Sequence, residues 1–437
     1  MNHNIKKSLS HYRVIPRIVK IGVPEAVSIY PLGKSKKFSD DIEYTVKFIP
    51  MECYEQAWIT EPKFDFVKVH PKDGVITVTY TFDEEQEWSL VIFSDNEREA
   101  GKKPLEFRVY SLYDDLYERN PYRGDLHVHS NASDGQEDPL IVAANYRKEG
   151  FDFFALTDHH LWNPSDEMCR AYENIPLGIK MFRGEEVHVP TAWIHIVNFG
   201  SDYSVNELYH KNEAEIDEML KKEAEGLNTP KGVNALDYAY RRWITNEIRR
   251  AGGLSIVPHP YWITRNSYNM SDRTLEYVFE TGAYDAFELI GGQTLLENNI
   301  QSAFYQEMRA KGMRIPIVGS SDSHGTDPAS YFGIGKTIVF AHDMKKDSIC
   351  NAIKDMYSVA IEKQYNDGGE RVYGSYRLVK YTMFLLDNYF PSHDELCIEE
   401  GVLMREYSLG DTDAGTKLSE LCNRTEKNMK YILKGIR

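Results

Sequence analysis

The sequence predicts an α/β fold with its chemistry at the C-terminal ends of the strands, preceded by a β-rich region and followed by a helical one. Three observations predict it. A unit of helix, glycine, apolar strand and polar cluster recurs between Asp138 and His324. Apolar strands alternating with helices belong to a parallel sheet or barrel, whose site lies at the C-terminal strand ends. Of 14 histidines, nine lie between His127 and His324, mostly at those ends. The 437 residues, 42% hydrophobic and 27% charged, are ordinary globular material, enough for roughly two to three domains.

Residues 1–120 read as a small β-sandwich domain. Glu43–Phe48, Val75–Phe82, Trp88–Phe93 and Leu105–Leu112 are short runs rich in β-branched and aromatic residues. The turn formers Pro71-Lys72-Asp73-Gly74 precede the second, and the polar stretch Ser94–Lys103 separates the last two. Residues 121–365 carry the repeating unit. Asp138-Pro139 opens a helix that Gly150 ends, and strand Phe151–Leu156 leads to Thr157-Asp158-His159-His160. A helix near Tyr240–Arg250, Gly252-Gly253 and strand Leu254–Val257 lead to Pro258-His259-Pro260. A helix near Ile300–Lys311, Gly312 and strand Ile315–Val318 lead to Ser321-Asp322-Ser323-His324. Segment 202–236 is too long for a simple connection and is helix-prone over Glu213–Glu225, so it is expected to overhang the site as a lid or wall. Residues 366–437 read as a helical extension with apolar patches at Leu385–Leu386 and Tyr431–Leu433 and no ligand spacing.

Charge and cysteine content exclude several classes. With 51 Lys and Arg against 67 Asp and Glu, the net charge is −16, a poor match for nucleic acid or an anionic membrane as general partners. The longest apolar runs, such as Met383–Leu386 and Ile315–Val318, fall far short of the roughly 20 residues of a membrane span. The start Met1–Lys7 leads into no apolar signal region. Five scattered cysteines without a Cys-x-x-Cys pair argue against a disulfide framework or finger-type zinc, and a reducing cytoplasm is expected.

The candidate chemistry is metal binding. In Asp125-Leu126-His127-Val128-His129-Ser130, strand alternation puts both imidazoles on one face and Leu126 and Val128 on the other. Asp134 follows in a turn. Asp158, His159 and His160 end a buried strand, where two imidazoles and a carboxylate do not serve packing. In Gly184-Glu185-Glu186-Val187-His188, parity groups Glu186 with His188 and sends Glu185 the other way. His195 interrupts the apolar run Trp193–Val197, where an unpaired imidazole is costly. His259 stands between prolines, and Asp322 and His324 repeat the i, i+2 spacing. His127, His129, Asp134, His159, Glu186, His195, His259, Asp322 and His324 thus supply N and O donors and no thiolate. Such a set suits Mn, Fe, Zn or Co and exceeds the needs of one ion.

The order H-x-H-S, S-D-G, T-D-H, G-x-E, H-I, P-H-P and S-D-S-H resembles the PHP family (polymerase and histidinol phosphatase) over roughly Arg123 to Ile361, nearest its stand-alone phosphoesterases and the carbamate- and amide-hydrolysing CehA/McbA-like branch. The resemblance implies a distorted (β/α)7 barrel holding two to three divalent ions (Mn, Fe or Zn), three in a complete centre. One ion would take His127, His129, Glu186 and Asp322. Glu186 would bridge to a second, held by His195 and His259. The third would take Asp134, His159 and His324. Two segments depart from the family pattern: Tyr261-Trp262, with Arg265 close behind, follow His259-Pro260, and Gly291-Gly292 follow the strand Ala286–Ile290.

The function expected is a phosphoesterase that cleaves a small phosphate mono- or diester by a metal-bridging hydroxide. Asp158 or His160 would orient a ligand or shuttle a proton, and Arg183 or Arg265 would contact phosphate. The alternative keeps the site and changes the electrophile to a carboxylic ester, carbamate or amide, for which the aromatic flank Trp162, Trp193, Tyr261 and Trp262 suits a flat substrate. A non-catalytic metal-dependent binding module would not need the full donor set. Because Asp134, Glu186 and Asp322 are expected to face cations, the acidic total does not exclude an anionic substrate.

Overall fold

The computed structural model describes residues 11–33, 36–53, 64–95, 101, 103–191, 193–363 and 369–436. The start Met1–Lys7 and residues 96–100 and 102 of the polar stretch lie outside them. The chain divides into two compact units, one of residues up to Asn120 with 379–396 and 423–437, the other of 121–378 with 397–422. Among the described residues no helix is long and apolar enough to cross a membrane.

The first unit holds two sheets. Strands β1 (Tyr12–Ile15), β3 (Pro24–Pro31) and β6 (Ile76–Thr81) form one, in the order β1-β3-β6. The other contains β2 (Ile18–Lys20), β4 (Tyr44–Pro50), β5 (Phe66–Val69), β7 (Glu87–Phe93) and β8 (Leu105–Leu112), in the order β2-β8-β7-β4-β5. Alternation sorts their side chains: Ile76 and Val78 of β6 are buried while Thr77 and Thr79 face out. Val46, Phe48, Ile76, Val78, Phe82, Trp88, Leu90 and Val109 share one core, in which Trp88 Nε1 donates to Ser111 Oγ at 2.8 Å. Helical residues join this unit as well, the rings of Tyr381 and Phe384 lying 5.1 and 5.3 Å from that of Tyr110.

The second unit is mixed α/β. Strands β9 (Asn120–Asp125), β10 (Phe153–Ala155), β11 (Lys180–Phe182), β19 (Gly335–Ala341), β20 (Ser358–Lys363) and β21 (Glu370–Tyr373) make a sheet ordered β11-β10-β9-β19-β20-β21. Strands β12 (Gly184–Val187), β13 (Ile196–Phe199), β14 (Leu254–Val257), β17 (Ala286–Ile290) and β18 (Ile317–Gly319) make another, in chain order. A small hairpin pairs β15 (Ile263–Thr264) with β16 (Ser267–Tyr268). The repeating units read from the sequence end in β10, β14 and β18, each parallel to a neighbour. Asp138 caps the helix Pro139–Lys148 by accepting from Leu140 N, with Pro139 at the first position, and Gly150 (φ 94°) supplies the left-handed turn into the strand.

Three expectations need correction. The sheets are not all parallel. The connection 188–195 is too short for a crossover, so β12 and β13 pair antiparallel, as do β13–β14 and β19–β20–β21. His127 and His129 lie beyond the end of β9 and His195 lies just ahead of β13, so these histidines sit at strand ends and not within strands. Alternation persists, because Val128 packs in an apolar core while His127 and His129 both face Glu186. Nor is the C-terminal region an appendage. Its helices Tyr376–Asn388, Phe390–Ser408, Thr412–Glu420 and Arg424–Lys434 are shared between the units, since their apolar faces complete existing cores. Met404 and Leu418, for example, pack with Tyr146, Phe154 and Tyr172.

Segment 202–236 supplies the helices Val205–Lys211 and Glu213–Gly226. Val205, Tyr209, Ile216 and Leu220 are buried against Val187 and Ile196 and against Trp243 and Ile248 of the helix Ala235–Arg250. The segment is thus a packed layer on the outside of β12 and β13.

Arg147 is fully buried, its Nε and Nη2 donating to Glu400 Oε2 at 2.9 and 2.8 Å and Nη1 to Phe151 O at 3.0 Å. Arg147→Ala should lower unfolding stability by about 3–5 kcal/mol in urea denaturation, because the buried Glu400 loses its cationic partner. A loss below about 1 kcal/mol would show that the pair does not hold this unit together.

Candidate metal centre

Glu186 stands at the centre of a buried group of imidazoles. Its Oε1 lies 2.8 Å from His195 Nδ1 and 3.2 Å from His259 Nε2. Its Oε2 lies 2.7 Å from His159 Nδ1, 3.3 Å from His188 Nε2, 3.5 Å from His127 Nε2 and 3.7 Å from His129 Nε2. Asp322 Oδ1 approaches His129 Nε2 at 3.0 Å and His127 Nε2 at 3.3 Å. Asp134 Oδ2 faces His159 Nε2 at 3.4 Å and His324 Nε2 at 3.3 Å, while its Oδ1 is 3.8 Å from His129 Nδ1. The structure therefore brings together all nine side chains named from the sequence, in overlapping groups of metal-holding geometry.

The tautomers leave inward-facing lone pairs that a cation or added protons would satisfy. His127 Nδ1 lies 2.9 Å from Glu288 Oε2, and a carboxylate only accepts, so in the neutral ring the proton is on Nδ1. The lone pair on Nε2 then faces Glu186 and Asp322 and has no hydrogen bond, and Glu186 Oε2 has none either. Likewise His324 Nδ1 donates to Asp322 O at 2.9 Å, which leaves its Nε2 lone pair toward Asp134. At His127 and Glu186, both fully buried, acceptors facing one another repel unless a cation or extra protons lie between them. Burial alone would lower the pKa of His127, but Asp322, Glu186 and Glu288 raise it well above the usual histidine range. Burial would raise that of Glu186, but His195, His188 and His127 hold it well below the carboxylate range. His159 is pushed up to about 10 by Asp134 and Glu186 against its own desolvation. An imidazole-rich N/O set without thiolate fits a borderline divalent metal.

A buried polar frame holds these loops. Asp125 accepts from Ser321 N at 3.0 Å, His127 N at 3.3 Å and the Tyr146 hydroxyl at 3.0 Å, which ties the two His-bearing loops together. Its carboxyl is pushed up to about 7 by burial. At Gly292 a Cβ would sit 1.7 Å from Ser321 O, so only a glycine permits this close backbone approach to the Asp322 loop. Asp322 (φ 48°) and His259 (φ 25°) occupy left-handed backbone, strain typical of residues held for function. Glu185, turned away from the centre as parity predicts, accepts from Ser204 Oγ at 2.7 Å, Val205 N at 2.6 Å, Asn206 Nδ2 at 3.0 Å and Asn198 Nδ2 at 3.0 Å.

The remaining candidates separate. Asp158 accepts from Ser130 N, Ser130 Oγ and Ser133 Oγ at 2.8, 2.7 and 2.6 Å, so it anchors the turn that carries Asp134. The His160 ring stands 4.7 Å from that of His188. Arg265, at the tip of the β15–β16 hairpin, lies over the exposed Trp193 ring at 4.7 Å. Arg183 is engaged by Asp166 at 2.6 Å and lies over the Trp162 ring at 5.9 Å. Tyr261 is core, donating to Asp272 Oδ1 at 2.8 Å, whereas the partly exposed Trp262 sets its ring edge-on to His195 and His259 at 5.7 and 5.8 Å. Sequence reasoning missed Glu288 and Asp125. The signal for Glu288 was a lone carboxylate in the otherwise apolar strand Ala286–Ile290.

No family model matches the chain, and no curated protein does. Solved structures do resemble it. A two-domain protein from Bacteroides vulgatus containing a predicted PHP-like metal-dependent phosphoesterase is 17% identical over 56% of this chain, with a TM-score of 0.40, and the chain spans 65% of its length. A protein from Bifidobacterium adolescentis described as a metal-dependent phosphoesterase is 20% identical over 46% of this chain and 87% of its own, with a TM-score of 0.34. An amidohydrolase from Chromobacterium violaceum is 20% identical over 47% and 88%, with a TM-score of 0.32. The family named for the first of these is the one that the sequence motifs resemble.

Elemental analysis of protein purified without chelator should find about two or more divalent ions per chain. Fewer would refute a multinuclear centre. Glu288→Ala, which frees the His127 ring, should weaken Mn²⁺ or Zn²⁺ binding in calorimetric titration by about 10–100-fold. Unchanged affinity would show that Glu288 does not position that ligand.

Proposed function

We propose that the chain is a metal-dependent hydrolase of the PHP type that cleaves a small phosphate mono- or diester at a centre of two to three Mn, Fe or Zn ions. The observation that carries this reading is the fully buried Glu186, whose two oxygens face two different donor sets. On this reading the two sheets of the second unit are parts of a distorted (β/α)7 barrel. His127, His129, Glu186 and Asp322 hold one ion, Glu186, His195 and His259 a second, and Asp134, His159 and His324 a third. When bound, such cations make water nucleophilic near neutral pH and neutralise charge on a phosphoryl group.

The protein's own groups do the rest. Glu288 and the Asp322 carbonyl fix the tautomers of His127 and His324, so that each presents a lone pair inward. Asp158 keeps its serine donors and holds the Asp134 turn in place, which leaves His160 as the candidate for moving a proton to the leaving group. Arg265, on its hairpin beside Trp193, is the candidate contact for non-bridging phosphate oxygens. Trp262 shields His195 and His259 from solvent. That aromatic edge favours a second reading, in which the same centre hydrolyses a flat carboxylic ester, carbamate or amide. Cysteines without disulfides fit a reducing cytoplasm as the working compartment.

A parallel screen of phosphomonoesters, phosphodiesters, carboxylic esters and carbamates with added Mn²⁺ should give turnover on phosphate esters. Turnover confined to carbon esters would replace the first reading with the second. On the preferred phosphate ester, Arg265→Ala should raise KM by about 10–100-fold, the loss of a charge-assisted hydrogen bond of about 1.5–3 kcal/mol. An unchanged KM would remove Arg265 from the site.

A further inference from the structure

His188 belongs to none of the three ligand groups above, yet it lies on the same face of the chain as Glu186, two residues away. Its side chain is only 4% exposed, and its Nδ1 is buried without a hydrogen-bond partner. Its Nε2 stands 2.8 Å from His159 Nδ1 and 3.3 Å from Glu186 Oε2, and those two atoms are 2.7 Å apart. Two nitrogens and one carboxylate oxygen thus form a closed triangle. Ligand atoms about 2.1 Å from one ion, at angles between octahedral and tetrahedral, are separated by about 3.0–3.4 Å, so a small outward shift of His159 fits the triangle to a cation. The position of His188 is built and not incidental. Its backbone N–H donates to Asn206 Oδ1 at 3.1 Å, and Asn206 Nδ2 in turn reaches Glu186 O at 3.3 Å and Glu185 Oε2 at 3.0 Å.

We propose that His188 is a further metal-ligating side chain and that His159, Glu186 and His188 form an additional position for a borderline divalent cation such as Zn²⁺, Co²⁺ or Mn²⁺. The proposal rests on the metal-dependent reading above. His159 is the pivot of the arrangement. Its Nε2 faces Asp134 and its Nδ1 faces His188, so one ring serves two positions, and an ion beside His188 draws His159 away from the Asp134 group. The ordinary alternative is a hydrogen bond in which His159 Nδ1 donates to His188 Nε2 and no metal touches His188.

The test is a Co²⁺ titration of the chelator-treated full chain, followed by calorimetry and by visible d–d absorption, which reports the coordinating atoms directly. Apo-protein melting curves verify that each variant folds. In His188→Ala one Co²⁺ equivalent should weaken by about 100-fold or more, with an altered d–d spectrum. In His188→Cys, which offers a thiolate in place of the imidazole, the ion should be retained and a thiolate-to-cobalt charge-transfer band absent from the unsubstituted protein should appear. His188→Ala binding the same number of Co²⁺ ions with a superimposable spectrum would overturn the proposal and leave the multinuclear centre standing. Unsubstituted protein that binds no Co²⁺ would overturn both this proposal and the metal-dependent reading.

Discussion

The structure of the second unit is organised around the cost of burying one carboxylate. Glu186 has no exposed surface, and six imidazoles approach its two oxygens. A charge in that setting is tolerable only if opposite charge is supplied at short range. Histidine gives the site two ways of doing so: a second proton on the ring, or a lone pair that binds a cation. The first accounts for the raised pKa of His127 and His159, and the second for the unpartnered nitrogen and oxygen atoms that point at one another. Either way the ring positions must be kept, and much of the surrounding polar structure does that.

The keeping is done mainly by groups that never face the centre. Asp125 ties the loop of His127 to that of Asp322, Asp158 ties two serines to the turn of Asp134, and Glu288 fixes the tautomer of His127. All three are buried carboxylates whose donors are backbone amides, hydroxyls or an imidazole. Short parallel strands deliver the loops to one end, but strand geometry alone leaves a loop end free to wander. The hydrogen-bonded frame removes that freedom, in keeping with the left-handed backbone at His259 and Asp322.

What could be read from the sequence was local. Parity along a strand grouped His127 with His129 and turned Glu185 away from Glu186, and helix–glycine–strand punctuation located the ends of β10, β14 and β18. What could not be read depended on packing between distant segments. Glu288 meets His127 across 161 residues of chain, and no spacing announces that pairing. The antiparallel turn from β12 to β13 hid behind an apolar pattern that a buried strand of either direction shows. The helical end of the chain carried charge enough to look solvated, while the residues that divide it between two cores, Met404 and Leu418 against Tyr381 and Phe384, are few and scattered. Among the aromatics, composition could not distinguish Tyr261, which is core, from Trp262, which reaches His195 and His259.

The carboxylate of Glu185 has a consequence for how this protein can change. Three of its four donors, Ser204, Val205 and Asn206, open the helical segment 202–236, and the carboxylate itself is the immediate chain neighbour of Glu186. The segment is therefore not an ornament that could be trimmed or exchanged at will. Its distal helix packs through Ile216 and Leu220, and its first turn is tied to Glu185 beside Glu186. A change that removed those three donors would leave the buried Glu185 carboxylate with Asn198 alone among them.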